Sequence, residues 1–545
     1  MHDILRKPAG PRWWPAAAIA IAAVLCLVWV WWFGGERDRQ TRVLLTAPIS
    51  LGTFLMLGLW LMFFSRLPWR IRLRAVGACL SIVTLAVATL RIRGVTGDFV
   101  PVLEWRWASR TEPAPEMPPP PPSDTQASPR TVPSAPEPQA SPGKTAAIPA
   151  ASSVAPLPAG DYPQFLGPER NGVVTGIRLA RDWNLKPPRL VWRRRVGLGW
   201  SGFAVANGIA VTQEQRGERE MVVAYNLADG TPRWSHGDIA RFESTIAGDG
   251  PRATPTISGG RVFTLGSTGL LNCLDVETGK RIWRRDIAAD NEAIQPEWGR
   301  SGSPLVIDDL VVVSAGGPNG RSLVAYRRDS GEPVWRSGDD LPSYSSPLVA
   351  SLAGVRQILM LNHSSVAGHD PATGRILWQH PWRGSPTVAQ PLVLPQNRLL
   401  VSGGYGMGRK LLQIDSSEDG GLQAILLWET LRLKAKFTNL VLHDGFVYGL
   451  DDGVLVCLDP ADGQRCWKSG RYGHGQVLLV GDVLLVQTEE GDLVLVEARS
   501  DEHRELTRYS AFSRKTWNPP SLAGRLLLVR NDVEAACYEL AGDRE

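Results

Sequence analysis

The chain has 545 residues, including 55 Gly, 42 Pro and 21 Trp, against 12 Phe and 9 Tyr. That length points to several units, and the Gly and Pro load argues against a mostly helical protein. A composition of 43% apolar and 21% charged residues excludes a wholly disordered chain. The net charge of +5 sits at the N-terminal end: residues 1–160 carry 16 Lys+Arg against 9 Asp+Glu, and residues 161–545 carry 43 against 45. The larger part therefore has no basic footprint for nucleic acid.

In chain order, residues 13–33 and 43–64 come first, apolar runs of 21 and 22 residues, each long enough to cross a bilayer as a helix. A cleaved signal peptide would be shorter and would not be followed by a second run of this kind. A third run, 75–90, has only 16 residues and is flanked by Arg72, Arg74, Arg91 and Arg93, whose stems can snorkel. Residues 1–93 thus read as three transmembrane helices. Seven Lys/Arg flank the spans on each side, so charge alone does not orient them. Residues 94–160 read as a juxtamembrane and proline-rich linker; the 15 prolines between 111 and 160 leave nothing to build a core.

From residue 161 the chain repeats. LADGTPRW ends at Trp234, DVETGKRIW at Trp283, RDSGEPVW at Trp335, DPATGRILW at Trp378 and DPADGQRCW at Trp467. In all five a Gly stands four residues before the Trp (Gly230, Gly279, Gly331, Gly374, Gly463), as a turn position with positive φ requires. Trp428 ends a longer, irregular version, Trp192 ends an orphan strand, and a degenerate closer falls near Tyr509. Successive closers lie 39 to 52 residues apart, the size of a four-stranded propeller blade. Short β runs with tight turns, such as FAVANGIAV and PTISGGRVF, fill the intervals. The last strands, through Tyr538, lack a closer, and the strand at Trp192 lacks a blade. Joining them predicts an all-β fold over 161–545, an eight-bladed β-propeller with no open edge.

These closers resemble the quinoprotein-type propeller repeat of the pyrroloquinoline quinone dehydrogenases, in which D-x-x-T-G-x-x-x-W ends each blade. The segments PQFLGPERNGVVTG, GDGPRATP and SYSSP resemble a bacterial exported, membrane-anchored branch of that family. The resemblance implies a propeller on the periplasmic side of the cytoplasmic (inner) membrane. The adjacent Cys-Cys pair that stacks on the quinone in those dehydrogenases is absent: the six cysteines include no neighbours, and no Cys-x-x-Cys-His haem motif occurs.

Chemistry is sought in the loops that lead into the first strand of each blade, which form one rim of the central channel. They supply Trp200, Arg252, Trp298, Arg300, Tyr344, Lys436, Lys515 and Trp517, with Glu243 and Asp249 as carboxylates. Aromatic and cationic groups converging there can take a planar or anionic ligand or a peptide; alternatively, the cations pair with the carboxylates and seal the channel. The eight histidines show no metal-ligand spacing and read as solvated loop residues, and GGYGMG at 403–408 reads as a tight turn. Cys457 and Cys466 flank a turn symmetrically, so they are expected to face each other, either as a disulfide implying an oxidising compartment or as two small packing residues. Trp192, Trp234, Trp283, Trp335, Trp378, Trp428 and Trp467 are expected to pack between blades. That leaves Trp200, Trp298 and Trp517 as the tryptophans to examine for function. The expectation is a membrane-integral, non-catalytic interaction or scaffolding propeller with a protein partner and no cofactor. The alternative is a pyrroloquinoline quinone- and Ca²⁺-dependent alcohol or sugar dehydrogenase, or a small-ligand binder.

Overall fold

The structure, a computed structural model, describes residues 12–33, 37–107, 160–384, 386–418, 420–431 and 433–542. The proline-rich stretch expected as a linker falls in 108–159, outside the described residues.

Three N-terminal helices are long and apolar enough to cross a membrane. Helix α1 (Trp14–Val28) continues through a wider turn at Trp29–Phe33, α2 (Arg39–Leu59) through another at Trp60–Phe64, and α3 runs Trp69–Thr89. The third helix is 21 residues long and begins six residues before the expected run: Arg70, Arg72 and Arg74 occupy its first turns, where Arg72 reaches back to the Leu67 and Met62 carbonyls and long stems can carry their charges to the membrane surface. Trp31 Nε1 donates to Thr46 Oγ1 at 3.1 Å and Trp60 Nε1 to the Arg12 carbonyl at 3.1 Å, tying α1 to α2 at both ends. The chain does not then enter a linker. Strands β1 (Leu90–Val95) and β2 (Pro101–Trp105) form an antiparallel hairpin, whose turn is closed by the Thr96 N–H donating to the Val100 carbonyl at 2.9 Å.

The remainder is the expected propeller. Seven four-stranded antiparallel sheets follow in chain order, starting at residues 204, 256, 305, 348, 392, 441 and 476. The eighth pairs Ser521–Ala523, Leu526–Arg530 and Glu534–Glu539 with Arg189–Arg195, placing Cys537 opposite Trp192. Blade 7 carries an unforeseen fifth strand, Val173–Val174, added in parallel. Apolar side chains collect in eight clusters, each shared by two neighbouring blades, and the eighth-to-first cluster closes the ring. Stability therefore lies in eight seams around an axis rather than in one central core.

The closers behave alike. Trp234 Nε1 donates to the Val276 carbonyl, Trp283 to Arg328 and Trp467 to Arg499, all at 2.9 Å and all in the next blade; Trp192, Trp335 and Trp428 do the same. Trp378 instead bonds Gln357 in its own blade, because the following blade lacks the short Asp-to-Gly turn. The recurrent glycines have φ between 69° and 74°, and a Cβ on Gly331 would stand 2.7 Å from the Trp283 ring.

The residue just before each closer is a bulge, and it bears on two expectations. Cys457 pairs with Trp467 and Leu458 with Arg465, so Cys466 is the extra residue of the bulge. Cys457 is buried, Cys466 is exposed, and the structure holds both as free thiols; burial pushes the Cys457 thiol up, and Cys466 is near enough to help. In blade 7 the closer position falls on Thr507, opposite Leu495, rather than on Tyr509. Trp183, outside the blades, packs in that seam and donates its backbone N–H to Thr507 Oγ1 at 3.2 Å.

Candidate functional site at the propeller mouth

The turn of the β1–β2 hairpin inserts into the mouth of the propeller. The Gly97 N–H donates to Glu489 Oε1 at 2.7 Å, and its carbonyl accepts from Lys436 Nζ at 3.2 Å. Lys515 Nζ donates to the Val95 carbonyl at 3.0 Å, and Arg93 pairs with Asp532 at 2.7 Å. Asp98 lies 3.0 Å from His474 Nε2 and 3.2 Å from Arg39 Nε. The start of α2 joins the same network: the Arg39 N–H donates to Asp452 Oδ2 at 2.7 Å, and Gln40 accepts from Lys436 at 2.9 Å. Gly97 admits no side chain, since a Cβ there would stand 2.1 Å from His474 Cδ2.

Beneath this turn is a cavity of about 140 Å³ with eight aromatic rings in its lining. Trp200, Arg252, Trp298, Tyr344 and Trp517 all line it, together with Tyr405, Phe437, Phe99 from the hairpin and Phe165 from the segment preceding the blades. Trp298 stacks on Tyr344 with centroids 5.4 Å apart, and Trp200 and Trp517 meet at 5.0 Å. Lys515 Nζ stands 3.7 Å from the Trp517 centroid, and burial pushes its ammonium down to about 8.

The other expected site residues are elsewhere. Arg300 is buried and donates to the carbonyls of Ala315 (2.6 Å) and Ile294 (3.0 Å), a structural post whose burial lowers it to about 10. Glu243 pairs with Arg241, Asp249 accepts the Ser244 N–H at 3.0 Å, and both border a larger polar cleft beside the hairpin. Lys436 and Lys515 grip hairpin carbonyls. Arg252 is held by the carbonyls of Ala247 (3.1 Å), Gly248 (2.6 Å) and Gly250, so its guanidinium is satisfied by backbone and not by a carboxylate.

Several contributors went unread in the sequence. Tyr405 belongs to the GGYGMG turn, with φ of 58°. His474 is buried rather than solvated, as is His369; His474 precedes the first strand of blade 7, so the argument that found Trp200 and Trp517 reaches it too. Asp98, Asp452 and His474 bring three ligand-type atoms within 4.8 Å of one another. Arg39 and Lys436, the latter 3.7 Å from Asp452 Oδ1, already balance the two carboxylates, so a divalent ion would add buried charge with nothing to offset it. Burial raises the Asp98 carboxyl, but the hydrogen bond and charge of His474, then Lys436 and Arg39, outweigh it and hold the group below its ordinary range.

A planar quinone bearing several carboxylates does not fit this mouth. The cavity is about 140 Å³, and the one cation among its lining residues, Arg252, is committed to carbonyls.

Comparison with known proteins agrees with the blade pattern. A family model described as outer membrane protein assembly factor BamB matches residues 218–469. The outer membrane protein assembly factor BamB of Burkholderia pseudomallei (strain K96243) is 24% identical over 355 residues, 62% of this chain and 82% of that protein. Among solved structures, the quinohemoprotein alcohol dehydrogenase of Comamonas testosteroni superposes with a TM-score of 0.52 at 14% identity, over 71% of this chain and 81% of that one. BamB from Moraxella catarrhalis gives 0.48 at 15%, over 66% and 99%. At 14% identity the dehydrogenase likeness is one of fold, whereas the sequence match falls on the repeat itself: the chain is an eight-bladed β-propeller of PQQ-like repeats.

Proposed function

We propose that this chain is a non-catalytic protein-interaction module, held at the periplasmic face of the cytoplasmic membrane by its three N-terminal helices and working without a quinone cofactor. The observation that carries the reading is that the mouth already holds a polypeptide. Glu489, Lys436 and Lys515 bind backbone N–H and carbonyl groups of the hairpin turn, which is recognition of peptide rather than of a small substrate. The relative from Burkholderia pseudomallei, named as an outer membrane assembly factor, supports the same class of role. The helices support the anchoring. The start of α2 and the hairpin both touch the propeller, while the Arg12 N–H donates to the Ser65 carbonyl at the opposite end. Three spans then leave the N-terminus in the cytoplasm and the propeller outside.

Protease treatment of intact spheroplasts tests the placement. Cleavage in the proline-rich segment is expected to release a propeller fragment into the supernatant. Full protection, with cleavage only after lysis, would overturn it.

A further inference from the structure

The hairpin turn sits in the mouth as a ligand sits in a receptor. Its interactions there are almost all between groups far apart in sequence, with separations of 376 residues for Asp98–His474 and 392 for Gly97–Glu489. Each feature of the turn meets a dedicated counterpart. Glu489 accepts the Gly97 N–H, and the buried Lys436 ammonium donates to its carbonyl. The next residue presents a carboxylate to His474 and Arg39. The one after that presents a ring to the aromatic cavity. The tight approach to His474 selects a residue without a side chain at the first position.

We infer that the mouth is a binding site for an acidic β-turn of a protein partner, of the pattern glycine, carboxylate, aromatic ring, and that residues 96–99 of this chain are its resident occupant. A partner loop of the same chemistry then competes with the chain's own hairpin. Because the occupant is tethered, its effective concentration is of the order of millimolar, and an incoming loop must exceed that competition before it binds. Displacement would free β1 and β2, which follow α3 directly, so occupancy of the mouth would be felt at the membrane surface. This rests on the interaction reading above and names the chemistry of what is bound.

The test uses the full-length protein in detergent micelles and a fluorescent, end-to-end cyclised peptide of residues 90–105. In the Gly97→Leu chain the new side chain meets the His474 ring and expels the turn while leaving every propeller residue in place. Hydrogen exchange at residues 96–100 is expected to speed up in that variant. Fluorescence anisotropy is expected to show the peptide binding it at least tenfold more tightly than the wild-type chain. A peptide that itself carries Gly97→Leu is expected not to bind. Equal affinity for the two chains, no binding to the variant, undiminished binding of the altered peptide, or a turn that stays protected in the variant would each overturn the inference. Because the readout is binding to purified protein, a failed spheroplast experiment leaves it standing, and its own failure leaves the membrane placement untouched.

Discussion

Trp283 and Gly331 show how one side-chain contact is built into each repeat. The indole is 8% exposed, donates across the seam to Arg328 and lies over the glycine of the next turn. Gly331 therefore answers two demands, a φ of 74° and the absence of a Cβ beneath the ring. Only the first could be read from the turn pattern; the second needs the neighbouring blade. Trp283→Ala is expected to cost about 3–5 kcal/mol as a large-to-small core change, and Gly331→Ala about 1–2 kcal/mol from the backbone alone, plus the overlap with the indole. Once the indole is gone the overlap vanishes, so the double variant should be less destabilised than the sum, by about 1 kcal/mol in a urea-denaturation cycle. Strict additivity would show that the glycine serves φ alone.

The hairpin of Leu90–Val95 and Pro101–Trp105 is the element that sequence reasoning missed. Its alternation is weak, with exposed Ile92 and Leu103, and two short strands are marginal in water without a surface to pack on. The propeller provides that surface, through charges contributed by blades 6 to 8 and by α2. Asp98 sets its acid sensitivity. The folded carboxyl is held below its ordinary value of 3.8, so the contact's contribution is present above that pH and is lost as pH falls through the lower, folded value. Hydrogen exchange at residues 96–100 should keep constant protection from pH 7 to pH 5 and lose it below about pH 3.8. The Asp98→Asn variant should show weakened protection throughout and no acid step of its own. An acid step unchanged in the variant would assign the effect to other groups that face the turn, namely His474, Glu489 and Asp452.

Closure governs the propeller as one body. Each blade contributes to two seams, and the seam between blades 8 and 1 exists because Glu534–Glu539 pairs with Arg189–Arg195. Truncation after Val533 removes buried Tyr538, Cys537 and Leu540 and exposes the edge of Arg189–Arg195. The loss should exceed about 3 kcal/mol, the scale for deleting one large buried side chain. A fall in the urea midpoint, together with binding of a hydrophobic dye, would record it; an unchanged midpoint would mean that the ring does not depend on its closing strand.

The blades were legible because their information is local and repeated. A turn sequence, a glycine and a tryptophan recur at blade spacing, and a closed ring follows from counting closers and pairing the two unmatched ends. The aromatic lining was partly legible for the same reason, since Trp200, Arg252, Tyr344 and Trp517 each stand four residues before a first strand, with Trp298 in the corresponding loop of blade 3. The contents of the mouth were not. Gly97, Asp98 and Arg39 meet His474, Glu489 and Asp452 across more than 370 residues, and no periodicity links them. The bulge that pairs Cys457 with Trp467 rather than with Cys466 likewise comes from ladder register, which symmetric spacing about a turn does not reveal. Repetition specifies a scaffold because each copy states the same local rule; which charges and rings share its axis is settled only when distant segments are brought together and their burial and pairing take effect.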